Sequence, residues 1–255
     1  MIGVFDSGVG GISVLQEIRA VLPDADLVYV ADSGHCPYGG KSYAEIRARA
    51  VAITGFLVDA GCQVVVVACN TATAAAIEHL RSEFNQVPIV GMEPALKPAA
   101  AATRSGVVGV LATGATLGGE RFAGLAERVA DGIELLTQPC PGLVEQVEAG
   151  QLDGPATDAL LRRYVEPLLA RGADTLVLGC THYPFLRPAL TRLVGPNVAL
   201  IDTGAAVARQ VVHVLGTHAA TSGEGQVRFA TSDVRVAPVI EQLWGDLAKI
   251  EHLPV

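Results

Sequence analysis

The chain has 255 residues, of which 50% are hydrophobic and 17% are charged, and its formal net charge is −8. This composition excludes a disordered chain, and the negative charge disfavours a nucleic-acid-binding surface. No apolar run reaches the roughly 18–20 residues of a membrane span, and the first residues lack the basic region of a signal peptide, so we expect a cytoplasmic, globular protein that binds neither nucleic acid nor membrane.

Short apolar runs alternate with amphipathic segments along the whole chain. We predict strands, in chain order, at residues 1–5, 27–31, 64–68, 88–90, 107–111, 133–136, 175–178, 198–201 and, more weakly, 227–229. Helical periodicity is found between them, for example at residues 12–21, 43–59, 72–84 and 156–171. Strands that are apolar at nearly every position are typical of a parallel sheet covered on both faces. The predicted fold class is therefore α/β, with short connections.

The glycines after the first predicted strand superficially resemble a nucleotide-binding loop. Gly8 and Gly10 have the first spacing of a dinucleotide loop, but Ser13 stands where the third glycine belongs. The segment 39–42 ends in Gly-Lys-Ser without a glycine at the upstream spacing of a P-loop. Nucleotide binding is therefore not expected.

Two distant segments, 64–71 and 175–182, have the same order of features. In each, an apolar strand stops at a cysteine (Cys69 and Cys180), and hydrogen-bonding residues and a helical segment follow. A helix N-terminus favours the thiolate form of a cysteine, and its free N–H groups can hold a carboxylate. A thiolate beside a carboxylate receptor can remove a proton from the carbon next to that carboxylate.

A second pair of similar segments supports two related lobes. Asp6 precedes a hydroxyl residue and a glycine at the end of the first strand, and Asp202 does the same late in the chain. Each aspartate could equally be only a helix cap. We predict two pseudo-symmetric lobes, each a mainly parallel sheet flanked by helices, with the active site in the cleft between them. Lobe A comprises residues 1–95 and 206–255, and lobe B comprises 96–205.

The five cysteines are an odd number and include no Cys-x-x-Cys pair. A disulfide framework or a metal site is therefore not expected. None of the three lysines, Lys41, Lys97 and Lys249, is placed attractively for a pyridoxal Schiff base. We therefore expect chemistry by side chains alone, without a cofactor.

Four motifs in order closely resemble those of the glutamate racemase family, which belongs to the cofactor-independent aspartate/glutamate racemase group. They are Asp-Ser-Gly-Val-Gly-Gly at 6–11, Pro-Tyr-Gly at 37–39, Ala-Cys-Asn-Thr-Ala at 68–72 and Gly-Cys-Thr-His-Tyr-Pro at 179–184. The resemblance extends from the first residues to about Ala208. It implies reversible conversion of L- to D-glutamate for peptidoglycan synthesis, by a homodimer.

The resemblance also implies the roles of individual residues. Cys69 and Cys180 would be the two acid/base residues on opposite faces of the substrate Cα, with Cys69 deprotonating D-glutamate and Cys180 L-glutamate. Asp6, His182 and Glu148 would assist the thiols, and Glu148 fits this role better than Glu145. The residues expected to bind substrate are Asp6, Ser7, Pro37, Tyr38, Gly39, Asn70, Thr71, Thr113, Thr116, Thr181 and His182.

Two alternatives remain open at this stage. A sibling enzyme acting on aspartate or another amino-acid derivative would share the lobes and both cysteines but differ in the side-chain pocket. A non-catalytic amino-acid-binding protein would bind a carboxylate without using paired thiols.

Overall fold

The computed structural model describes residues 1–216 and 223–255. The strands within these ranges are β1 (Ile2–Asp6), β2 (Leu27–Ala31), β3 (Val64–Val67), β4 (Ile89–Val90), β5 (Val107–Ala112), β6 (Glu134–Pro139), β7 (Thr175–Leu178), β8 (Ala199–Ile201), β9 (Val227–Thr231) and β10 (Ile250–His252). They form a six-stranded sheet in the order β10-β9-β2-β1-β3-β4 and a four-stranded sheet in the order β6-β5-β7-β8. All the described pairings are parallel.

Helices connect the strands and cover the sheets. They are α1 (Ile12–Val21), α2 (Tyr43–Asp59), α3 (Asn70–Glu83), α4 (Leu96–Ala102), α5 (Gly114–Leu117), α6 (Glu120–Glu127), α7 (Leu143–Glu148), α8 (Pro155–Ala170), α9 (Arg187–Val194), α10 (Gly204–Leu215) and α11 (Ala237–Trp244). Local sequence explains several boundaries. For example, Ser42 and Glu45 form a reciprocal capping box that begins α2.

The central strands explain why the sheets are parallel and covered on both faces. All residues of β1, β2, β3 and β7 are buried. A strand with both faces buried needs apolar side chains at successive positions, as in the four valines of β3. The described residues form three buried apolar clusters, and the largest of them includes residues of both sheets.

The predicted fold class is confirmed, and the differences concern the ends of some elements and one unpredicted strand. Helices α1 and α2 have the predicted bounds, whereas α3 begins at Asn70, two residues earlier than predicted. Strand β10 was not predicted because Ile250 is its only apolar residue, and it pairs at the sheet edge with β9.

The two sheets use different parts of the chain. The six-stranded sheet combines strands from both ends of the described chain, and the four-stranded sheet uses the middle. The lobe boundaries 1–95 with 206–255 and 96–205 remain a prediction, and the second boundary lies inside the first turn of α10. None of the helices in the described ranges combines the length and the apolar character that crossing a bilayer demands.

Candidate active site

The carboxyl ends of strands from the two sheets face one another across a narrow cleft with a cavity volume of only about 10 Å³. Ligands of parallel α/β sheets bind at this edge because loops and helix N-termini converge there. The side chains and backbone that line the cleft belong to Ser7, Pro37, Tyr38, Gly39, Cys69, Asn70, Thr71, Thr113, Thr116, Val144, Gly179, Cys180, Thr181 and His182. All predicted substrate-binding residues except Asp6 thus line it, and Val144 and Gly179 were not predicted.

Cys69 lies between the end of β3 and the first residue of α3. Its Sγ accepts a hydrogen bond from the Ala72 N–H at 3.4 Å, and the thiol donates to the Ser7 Oγ at 3.8 Å. Burial and the negative charge of Asp6 nevertheless raise the pKa of the Cys69 thiol well above its ordinary value. The Ala72 N–H at the start of α3 lowers this pKa, as expected of a helix N-terminus, but desolvation outweighs that one donor.

Cys180 is the first residue of a hydrogen-bonded chain of three side chains. Its Sγ lies 3.6 Å from Nδ1 of His182, and Nε2 of the same ring lies 2.6 Å from Oε1 of Glu148. Burial opposes a charge on His182, but hydrogen bonds to Cys180, Cys36 and Glu148 raise its pKa well above the ordinary value. For Glu148, burial opposes ionisation, but the contact with His182 outweighs it and leaves a lowered pKa. The pair is therefore suited to holding a proton close to the Cys180 sulfur.

The contacts of Glu148 and Glu145 show which of the two carboxylates can assist the thiols. Glu148 is the carboxylate that contacts His182, and it also accepts the Val9 N–H at 2.7 Å. Glu145 lines a separate depression at the outer mouth of the cleft, together with Cys140 and Pro141. The geometry therefore favours Glu148 as the carboxylate that can act on His182.

Asp6 lies beneath the cleft and connects its two sides. Its Oδ1 accepts from the Ser7 N–H at 2.5 Å, and its Oδ2 accepts from the Thr181 hydroxyl at 2.9 Å. Burial raises the pKa of this carboxyl, although the charge on His182 and the hydrogen bond from Thr181 oppose the increase. A fully buried carboxyl with a raised pKa can change its protonation state during a reaction.

The glycines after β1 allow the two sides of the cleft to approach closely. A Cβ atom at Gly10 would lie 2.3 Å from Nδ1 of His182, and one at Gly8 would lie 1.9 Å from Oε1 of Glu148. Any side chain at either position would displace these groups. The glycines are thus explained by contact with His182 and Glu148, without a nucleotide.

Polar groups capable of receiving a ligand converge on the Cys69 side. The Thr71 hydroxyl lies 3.0 Å from that of Thr113 and 3.3 Å from that of Thr116. Both polar atoms of the Asn70 side chain are buried and have no hydrogen-bond partner within the described residues. A buried unpaired amide costs stability, and in the cleft this one is free to pair with a polar ligand.

The segment that carries Pro37, Tyr38 and Gly39 is held by a network that we did not predict. Asp32, which is fully buried, accepts the Tyr38 hydroxyl at 2.6 Å and two hydrogen bonds from Arg49 at 2.9 and 2.8 Å. The available signal was a third strand-Asp-Ser-Gly sequence at residues 31–34, which repeats that at 5–8. Asp202, by contrast, does not line the cleft. It accepts the Gly204 N–H at 3.0 Å and pairs with Arg187, and the N-cap position of α10 is held by Thr203.

Known proteins with a similar sequence or structure have the name glutamate racemase. A protein named glutamate racemase from Ectopseudomonas mendocina (strain ymp) is 59% identical over 253 residues, which cover 98% of this chain and 96% of that protein. The crystal structure of Escherichia coli glutamate racemase in complex with L-glutamate and the activator UDP-MurNAc-Ala has a TM-score of 0.89 at 35% identity, covering 99% of this chain and 97% of that one.

A second solved structure has a bound ligand of the opposite configuration. Glutamate racemase from Francisella tularensis subsp. tularensis SCHU S4, in complex with D-glutamate, has a TM-score of 0.84 at 27% identity, covering 99% of this chain and 96% of that one. Residues 11–211 match the family model described as Asp/Glu/Hydantoin racemase. This match covers most of the chain, and the chain belongs to the Asp/Glu/Hydantoin racemase family.

Proposed function

We propose that this protein interconverts L- and D-glutamate by transferring protons at Cα between two cysteines. The observation that carries the proposal is that Cys69 and Cys180 line one narrow cleft from two different sheets. Inversion of a chiral carbon by proton transfer needs a base on one face and an acid on the other. A relative that is 59% identical over 98% of this chain has the name glutamate racemase.

The proposed reaction from L-glutamate proceeds in two proton transfers. The Cys180 sulfur, as thiolate, takes the α-proton, and His182 with Glu148 compensates the change of charge on this sulfur. The electron pair left on Cα is delocalised into the α-carboxylate. The Cys69 thiol then gives its proton to the opposite face, which leaves D-glutamate, a Cys69 thiolate and a Cys180 thiol. The reverse reaction exchanges these roles.

The raised pKa of Cys69 agrees with its proposed role as the acid in this direction. Burial and Asp6 keep the thiol protonated, so it is ready to donate. In the opposite direction the ammonium group of D-glutamate brings a positive charge that favours the thiolate. Each positioned acid or base typically contributes about 10²–10⁴-fold to the rate.

The remaining rate enhancement would come from fixed donors around the substrate. We propose that Asn70, Thr181 and the N–H groups at the start of α3 receive a carboxylate, with Ser7, Thr71, Thr113, Thr116 and the segment Pro37, Tyr38 and Gly39 completing the substrate contacts. Preorganised donors in a site that excludes water stabilise charge on the carboxylate as the α-proton leaves. No cofactor takes part in this proposal.

The test is incubation of purified protein with pure L-glutamate, D-glutamate, L-aspartate or D-aspartate, without pyridoxal phosphate, and detection of the product by circular dichroism. We expect both glutamate enantiomers to reach an equal mixture and aspartate to remain unchanged. Activity on aspartate alone would instead assign the chain to a sibling racemase. Saturable binding of glutamate without any inversion would make it an amino-acid-binding protein.

The biological setting of the proposal follows from the same family resemblance. We propose that the protein acts in the cytoplasm as a homodimer and supplies D-glutamate for peptidoglycan synthesis. Lobes with boundaries at 1–95 plus 206–255 and 96–205 would open to admit glutamate and close around it.

A further inference from the structure

A third thiol lies beside the proposed acid/base residues and transfers no proton in the reaction above. Cys36 follows β2, whereas Glu148 ends α7 and His182 follows Cys180. One sulfur, one carboxylate oxygen and one ring nitrogen of these residues all lie within 4.8 Å of one another. Within the described ranges, Cys36, Glu148 and His182 are the one group of three His, Cys, Asp or Glu side chains close enough together to hold a metal ion.

The donor set is one that zinc prefers. Thiolate sulfur, imidazole nitrogen and carboxylate oxygen are its usual ligands, and three protein ligands leave one position for water. Oε1 of Glu148 already accepts from Val9 and contacts His182. Oε2 accepts only from the Ser33 hydroxyl, at 3.3 Å. This second oxygen is therefore the one that can turn to a cation.

We propose that Cys36, Glu148 and His182 form an inhibitory site for one thiophilic divalent cation such as Zn²⁺. The ion would bind the Cys36 sulfur, Oε2 of Glu148 and Nε2 of His182, and it would displace the protons held on the sulfur and on Nε2. No bond other than these metal–ligand bonds forms, and no group is oxidised or reduced.

The position of the site has two consequences. His182 loses the nitrogen that contacts Glu148, so it no longer assists Cys180. Cys36 follows a strand of the six-stranded sheet, whereas Glu148 and His182 are in the part of the chain that contains the four-stranded sheet, so the ion would join the two sides of the cleft. The inhibition that we expect from the bound ion rests on the proposed function, whereas the binding of the ion does not.

Binding is tested first, without any use of activity. A Cys69→Ser/Cys180→Ser variant removes the two cleft thiols that could themselves bind metal. Titration of this variant with Co²⁺ is expected to give the near-ultraviolet thiolate-to-cobalt absorption at one equivalent, and Zn²⁺ should bleach it. Adding Cys36→Ala should abolish the absorption, and adding Cys62→Ala, a matched change of a buried cysteine elsewhere, should preserve it. Absorption that survives Cys36→Ala, or no absorption in the parent variant, would overturn the proposal.

Inhibition is tested second, in the chain with both cleft thiols. Zn²⁺ is expected to inhibit racemisation reversibly, with recovery on adding EDTA, and Cys36→Ala should raise the inhibitory concentration at least tenfold when each protein is compared with its own rate without metal. Equal inhibition of wild type and Cys36→Ala would show that Zn²⁺ acts elsewhere, and would contradict the proposed inhibition. If neither protein racemises glutamate but the Co²⁺ absorption behaves as expected, the proposed function fails and the metal site remains.

Discussion

At the residue scale, Asn70 is notable because its polar side chain is buried in the cleft. It is buried at the first position of α3, and neither its amide nitrogen nor its oxygen has a partner within the described residues. Such a group reduces folding stability by about 1–3 kcal/mol. We infer that this cost is retained because a substrate carboxylate pairs with the amide nitrogen.

This inference predicts opposite effects on stability and activity. Asn70→Ala should leave the free energy of unfolding unchanged or raise it, while kcat/KM for glutamate falls at least tenfold. The measurements are urea denaturation and steady-state racemisation. The matched control is Thr54→Val in α2, because the Thr54 hydroxyl is also buried and unpartnered within the described chain but lies outside the cleft.

The control should be neutral or stabilising and should keep full activity. The contrary outcome is that Asn70→Ala lowers the free energy of unfolding by several kcal/mol, with a loss of activity that the unfolded fraction explains. The side chain would then be structural, and its proposed role in binding would be wrong.

At the element scale, the segment that carries Tyr38 depends on the ion pair between Asp32 and Arg49. Hydrogen bonds from Arg49 and Tyr38 lower the pKa of Asp32, although burial opposes them. Because the folded pKa lies below the unfolded one, the charged carboxylate stabilises the fold above the unfolded value, near 3.9. That contribution is lost as the pH falls through the folded pKa.

Arg49→Met should therefore destabilise the protein by about 3 kcal/mol at pH 7, because it leaves a buried carboxylate without its cation. The difference from wild type should begin to shrink below about pH 4, where Asp32 of the unfolded chain takes up a proton, and continue to shrink as the pH falls through the lower folded pKa. Urea denaturation at several pH values measures both. Arg162→Met, which removes an exposed pair with Glu166 on α8, should cost only about 0.3–0.5 kcal/mol. A destabilisation by Arg49→Met that stays constant from pH 7 to pH 3 would show that the Asp32 charge is not its cause.

The strands, helices and cleft also differ in how well they could be predicted from the sequence. The buried strands could be located because they are apolar at nearly every position. Helices α1 and α2 could be located because apolar residues recur in them at helical spacing, as Ile46, Ala50 and Ile53 do in α2. Many of the cleft-lining residues were predicted from the family resemblance alone. Only Cys69, Cys180 and the polar residues directly after them were also indicated by their place at strand ends, where parallel sheets bring side chains together.

The Asp32 network was missed because it depends on Arg49, one helix away, and β10 was missed because an edge strand needs few apolar residues. The raised pKa of Cys69 could not be predicted, since desolvation depends on how closely the cleft packs.

At the scale of the whole molecule, the net charge of −8 opposes the approach of glutamate, which is itself an anion. Local donors in the cleft, and not the overall field, would therefore bring the substrate into place. Long-range steering between charges weakens as salt is added.

We therefore expect kcat/KM for glutamate to change less than about twofold, and upward, between 0.01 and 0.3 M ionic strength, since salt screens a repulsion. The measurement is the initial rate at low glutamate concentration in sodium chloride. A decrease of several-fold would indicate attractive steering and would contradict this account.

The central claim is that Cys69 and Cys180 each act on one face of the same carbon. The most direct measurement is exchange of the α-hydrogen in D2O by Cys69→Ala and Cys180→Ala, with each pure enantiomer followed by NMR and chiral chromatography. We predict that neither variant racemises glutamate, that Cys180→Ala exchanges only D-glutamate, that Cys69→Ala exchanges only L-glutamate, and that Cys62→Ala behaves as wild type. Racemisation at the wild-type rate by either single variant, or exchange of both enantiomers by one of them, would contradict the two-cysteine mechanism.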